Sequence, residues 1–74
     1  MSYGVYQVEE VFENITTKII KVVAFSEEAA IRSLAHLEGY KDPAKFEKHD
    51  DGSVRALTDN QTVLIATCIR RYGE

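Results

Sequence analysis

From Tyr3 to Phe12, valines and aromatics alternate with polar residues at a period of two. Tyr6, Val8 and Phe12 fall on one side of the ribbon, with Glu10 interrupting them, while Val5, Gln7, Glu9 and Val11 fall on the other. This period predicts a half-buried strand. Asn14 is the natural pivot of a turn over Glu13–Thr16. Thr17 to Phe25 predicts a second strand, β-branched at Thr17, Ile19, Ile20, Val22 and Val23. So short a connection demands antiparallel pairing, because a parallel crossover takes a dozen residues or more.

The period then becomes helical. The Ser26 hydroxyl can accept from a free N–H of the first turn, and Glu27 and Glu28 suit the positive end of a helix dipole. Ala30, Ile31, Leu34 and Leu37 share one face, with Arg32 and His36 opposite. Gly39 ends the helix and Tyr40 folds back on it, which predicts a helix over Glu27–Glu38. Lys41–Ala44 reads as a loop around Pro43. Phe46–His49 reads as a short polar strand, followed by a hairpin turn at Asp51-Gly52 of type I′. Ser53–Leu57 returns as a strand, Asp59-Asn60 turns again, and Gln61–Arg71 is the longest strand of the chain.

The order β-β-α-β-β-β predicts an α+β fold: a two-layer structure with a mostly antiparallel sheet of four to five strands and one helix packed on one face. At 74 residues the chain makes a single domain over 1–74, and its single cysteine excludes an internal disulfide. The N-terminal residues carry neither the basic nor the long apolar region of a signal peptide. Ile19–Phe25, the densest apolar run, is interrupted by Lys21 and falls far short of the roughly 20 residues needed to span a bilayer. The expected location is cytoplasmic.

Catalytic equipment is sparse. Cys68 sits mid-strand between Thr67 and Ile69 and reads as a small core hydrophobe. His49-Asp50-Asp51 offers three consecutive ligand types on a hairpin tip, with no second cluster at metal spacing, and reads as a solvated turn. The glycines at 4, 39, 52 and 73 are too scattered for a phosphate loop. No enzyme, cofactor or metal site is expected.

Net charge is -3. The first forty residues carry six acids and three bases, and the rest balance at six and six, so no basic stripe emerges for nucleic acid. The basic and aromatic end Arg70-Arg71-Tyr72 keeps a nucleic-acid-binding module as one alternative, and a structural homodimer, which needs only an apolar sheet face, is the other.

The apolar surplus points elsewhere. Ile19, Val23 and Phe25 lie on one side of the second strand, with Ile20, Val22 and Ala24 on the other. The last strand has Val63, Ile65 and Ile69 on one side, with Leu64, Ala66 and Cys68 on the other. A sheet with one wet face should alternate cleanly. One helix covers one face, so the second must be covered by curling, a second copy or another protein. The pattern leaves open which side meets the helix.

The joint Val22-Val23-Ala24-Phe25-Ser26-Glu27-Glu28-Ala29-Ala30 runs from a strand through an N-cap into an alanine-rich helix. Over Ile20 to Gly39 and in element order, the chain resembles small phage-encoded proteins of the anti-CRISPR type, built as a curved antiparallel sheet around one helix. The resemblance implies a stoichiometric inhibitor in a host cytoplasm that occupies a host protein's functional surface, and it assigns no binding residue. From the residues themselves, the expected function is that of a small protein-binding module. Arg55, Arg70, Arg71 and Tyr72 are the candidate binding residues, since arginine and tyrosine are enriched where interfaces carry energy.

Overall fold

The computed structural model describes residues 2–73. Five strands and one helix follow in the order β1 (Tyr3–Phe12), β2 (Ile15–Ala24), α1 (Glu27–Glu38), β3 (Glu47–Lys48), β4 (Val54–Leu57) and β5 (Val63–Tyr72). The sheet order is β2-β1-β5-β4-β3, and every neighbouring pair is antiparallel. The expected α+β fold with one helix on one sheet face is what forms, with five strands.

The first turn is tighter than the sequence suggested. It is two residues, Glu13-Asn14, rather than Glu13–Thr16, and both have positive φ (51° and 65°), the conformation a type I′ hairpin requires. The turn after β3 departs from expectation in the other direction. Gly52 alone is left-handed (φ 88°), the Gly52 N–H donates to the His49 carbonyl, and the His49 N–H to the Ser53 carbonyl. This is a three-residue loop with glycine at the left-handed position rather than a type I′ turn at Asp51-Gly52. The β4–β5 turn repeats the pattern with Gln61 (φ 61°) in glycine's place, Gln61 and Thr58 donating to the carbonyls of Thr58 and Thr62.

The helix begins and ends where the sequence places it. Ser26 Oγ accepts from the Ala29 N–H at 3.1 Å. Gly39 is left-handed, its N–H donates to the His36 carbonyl, and the Tyr40 N–H donates to the Ala35 carbonyl, which is the Schellman pattern. The buried stripe is Ala30, Ile31, Leu34 and Ala35. Leu37, expected on that face, is 68% exposed. The stripe continues from Leu34 to Glu38, a 40° rotation, whereas Leu37 lies 60° the other way.

One side of the sheet meets this stripe. Tyr6, Val8 and Glu10 of β1, Leu64 and Ala66 of β5, and Val54 and Ala56 of β4 are all buried there. Ile20, Val22 and Cys68 pack against the same core. Phe46 joins it from the loop, held under the Arg32 guanidinium at 4.9 Å.

Two bulges shape the long hairpins. Glu10 pairs with Lys18 and Val11 with Thr16, so Thr17 is the extra residue of β2. Its hydroxyl donates to Glu10 Oε1 at 2.8 Å and the Tyr40 hydroxyl donates to Oε2 at 2.5 Å. Glu10 therefore does not interrupt the buried side; it is a buried carboxylate with a donor for each oxygen. Beside it, the Lys18 ammonium is bound to Glu38 of the helix. The second bulge leaves Ile69 unpaired between Cys68–Tyr6 and Arg70–Val5. There the backbones crowd: a Cβ on Gly4 would stand 2.6 Å from the Arg70 carbonyl oxygen.

Glu10→Ala removes the shared carboxylate acceptor of the Thr17 and half-buried Tyr40 hydroxyls, and should lower unfolding free energy by about 1 kcal/mol, read from urea denaturation. Gly4→Ala should cost about 1–3 kcal/mol by the same measurement, because the contact is with backbone.

The alkaline limit follows from three groups. The hydrogen bond to Glu10 and then burial raise the Tyr40 phenol above 10.0, burial raises Tyr6, and the Glu38 hydrogen bond raises Lys18 above 10.5. Each proton is held more tightly in the folded chain. Their stabilisation is fully present below the unfolded values and is lost as pH rises through the folded ones. The urea midpoint should fall as pH rises above about 10, less steeply in Tyr40→Phe. An unchanged slope in that variant would exclude Tyr40 as a contributor.

Candidate functional site: the open sheet face

The side of the sheet away from α1 has no cover among the described residues. Alternation and register place Val5, Gln7, Glu9 and Val11 of β1 on it, beside Ile19, Lys21 and Val23 of β2. Val63, Ile65 and Thr67 of β5 and Arg55 and Leu57 of β4 continue the same surface. Ile19, Val23 and Leu57 are each more than half exposed, and so is the bulged Ile69. Sequence reasoning identified two apolar sides on β2 and β5; the structure assigns Ile20, Val22, Ala24, Leu64, Ala66 and Cys68 to the helix side and Ile19, Val23, Val63 and Ile65 to the open face.

One row crosses the whole sheet on this face. It runs Ile19, Glu9, Ile65, Arg55, Glu47, from β2 through β1, β5 and β4 to β3. Ile65 separates the carboxylate from the guanidinium by two strand spacings, about 10 Å. Arg55 is half-buried, forms no ion pair among the described residues, and its Nε is buried without an acceptor. Beside it the sheet dips into a hollow of about 570 Å3 whose walls include Ala44, Phe46, Arg55, Leu57 and Val63. His49 Nε2, also on this wall, lies 3.3 Å from Glu47 Oε1. At the hairpin tip, the Ser53 hydroxyl and N–H both donate to Asp51 Oδ1, which holds the Asp51 carboxyl below its usual range.

The four candidate binding residues do not form one cluster. Arg55 lies mid-face, opposite Ile65. Arg70 and Tyr72 lie at the far end of β5, opposite Val5 and Tyr3, so Arg70 is roughly 15 Å along the strand from the Arg55 row. Tyr72 stacks on Tyr3 with ring centres 5.3 Å apart, and the Arg70 guanidinium sits 5.4 Å from the Tyr72 ring. Arg71 is paired with Gly4, on the helix side of the sheet, where its charge acts on the buried Tyr6. The bulge at Ile69 sets this split, because it returns Arg70 to the open face. Glu9 was not singled out from sequence. Its only signal was the period-2 phase, which became interpretable once the register placed it in line with Arg55.

No helix among the described residues is long and apolar enough to cross a membrane. No protein-family model matches the chain, and no curated protein or solved structure is significantly similar to it.

Ile20 and Ile65 separate the two faces. Ile20→Lys places a charge against the core and should destabilise by more than about 2 kcal/mol, whereas Ile65→Lys should cost about 1 kcal/mol or less. Thermal unfolding of the two variants side by side reads the difference; equal losses would mean that Ile65 is core.

Proposed function

We propose that this chain is a small, non-enzymatic protein-binding module that works through the open sheet face. The observation that carries the reading is the exposed apolar surface of Ile19, Val23 and Leu57, interleaved with Glu9, Lys21 and Arg55, opposite a face already filled by the helix. Apolar groups supply the drive for association, and the interleaved charges select the partner and fix its register. The polar end formed by Arg70, Tyr72 and Tyr3 would serve as a rim to that surface. The resemblance to anti-CRISPR-type proteins suggests one form of this function: a stoichiometric inhibitor, of phage or mobile-element origin, that blocks a host protein complex by occupying its surface.

The test is capture on the immobilised chain from a bacterial lysate supplemented with untagged chain, so that a second copy counts as a partner. Wild type, Ile65→Lys and the helix-side control Arg32→Ala are compared. A polypeptide held in fixed stoichiometry by wild type and Arg32→Ala, and lost with Ile65→Lys, is the expected result. Partners held equally by all three would refute the role of the face. Nucleic acid alone, released as salt rises, would replace the reading with the nucleic-acid alternative.

A further inference from the structure

We propose that the open face is the interface of a two-fold symmetric homodimer in which Glu9 of each copy meets the partner's Arg55 across a central pair of Ile65 side chains. The proposal rests on the protein-binding reading of that face and names its occupant as a second copy of this chain.

The argument begins with strand order. In β2-β1-β5-β4-β3 the centre is β5, with two strands on each side. A two-fold axis parallel to β5, lying between two stacked open faces, therefore sets β1 over the partner's β4 and β2 over the partner's β3. An isologous contact must be self-complementary under such an operation. The Glu9-Ile65-Arg55 centre of the row meets that condition. Ile65 meets Ile65, and Glu9 meets Arg55 twice, once on each side of the axis. The next row sets Val63 on Val63 and Val11 against Leu57. An axis crossing the strands at this row would instead set Glu9 on Glu9 and Arg55 on Arg55, so the charge pattern selects the first arrangement.

Shape and unmet polar need agree with it. Under the same operation Ile19 of the partner, 56% exposed, comes over Glu47 at the end of the row, beside the hollow at the β3–β4 edge. The half-buried Arg55 guanidinium, which forms no ion pair among the described residues, gains a carboxylate partner. Aligned sheets pack about 10 Å apart, a gap that Glu and Arg side chains bridge from opposite sides. The molecule measures 36 × 24 × 20 Å, so its broad side is of the scale of a standard specific interface, which buries about 800 Å2 per partner.

The test is a charge swap read by light scattering and sedimentation equilibrium, with folding checked by circular dichroism. Wild type should dimerise with a Kd of micromolar order. Glu9→Arg and Arg55→Glu, each alone, set like charges in both pairs and should weaken the dimer about tenfold or more. An equimolar mixture of the two single variants restores opposite charges in both pairs, as does the double variant, and each should recover wild-type affinity within about threefold. A second reading avoids charge altogether. In a Cys68→Ala background, Ile65→Cys should cross-link to dimer with a short bismaleimide, while Lys21→Cys, about 19 Å from its symmetry mate across four strand spacings, should not.

A wild-type chain that stays monomeric to about 200 µM overturns the proposal. So does a dimer indifferent to both single changes, one that the swap fails to restore, or one that cross-links at Lys21→Cys and not at Ile65→Cys. Any of these leaves the broader reading standing if Ile65→Lys still abolishes capture of another protein; the broader reading falls only if that capture fails as well.

Discussion

One twelve-residue helix cannot cover both faces of a five-stranded sheet. At about 1.5 Å per residue it spans roughly 18 Å, little more than half the length of a ten-residue strand. Everything else in the molecule is arranged around that shortage. The side chains of β1, β4 and β5 that meet the helix are fully or almost fully buried. They include small residues, Ala56 and Ala66, which let Ile31 and Leu34 approach the sheet closely. Beyond the helix's C-terminal end, apolar packing runs out and polar chemistry takes over. The Thr17 bulge, Glu10, Tyr40 and the Lys18–Glu38 pair close that end with directed bonds. A carboxylate at 6% exposure is tolerable there because both oxygens are bonded.

The elements themselves were legible in the sequence, and the reasons are local. Ser26, the glutamates after it and Gly39 delimit the helix without tertiary help, because capping is decided by groups within one turn of the chain end. The strands were legible through β-branching and period. Their ends shifted by one to two residues where the turn chemistry was misread, as at Glu13-Asn14. What was not legible was phase. A strand with apolar residues on both sides gives no vote on which side is core, and β2 and β5 are such strands. Glu10 was opaque for the opposite reason: it carried the wrong polarity for its side, and its partners Thr17 and Tyr40 come from a bulge and a helix cap, seven and thirty positions away. The open face was likewise hidden. Arg55 could be named as a surface cation, but Glu9 lies forty-six positions earlier, and only the β1–β5–β4 register sets the two in one row.

Two bulges in so small a sheet have separable consequences. At Thr17 the extra residue turns a hydroxyl toward Glu10 and so serves the covered face. At Ile69 the extra residue restores the phase of β5 after Cys68 and so serves the open one. Without it, Arg70 would pair on the helix side and Arg71 on the open side. The stacked Tyr3–Tyr72 pair and the Arg70 guanidinium above it depend on that shift. Gly4 is the backbone condition for it, since any larger residue would press on the Arg70 carbonyl.

The sheet's edges bear on the proposed association through a face. An exposed edge strand is a template for pairing with another chain unless something blunts it. β3 is only two residues long, too short to template much. β2 is long, but it carries Lys18 and Lys21 and is broken by the Thr17 bulge, two of the devices by which natural sheets avoid edge-to-edge growth. Lys18 is further committed to Glu38, so pairing a new strand along this part of β2 would disturb the bond that holds the helix end. The open face shares Lys21 but is otherwise more apolar. Ile19, Val23 and Leu57 stand more than half exposed on it. Its charges sit singly between apolar neighbours instead of massing into a repulsive patch. Defended edges and an apolar face fit the proposed closed, face-to-face contact, because stacking faces ends when the pair is complete, whereas adding strands at an edge does not.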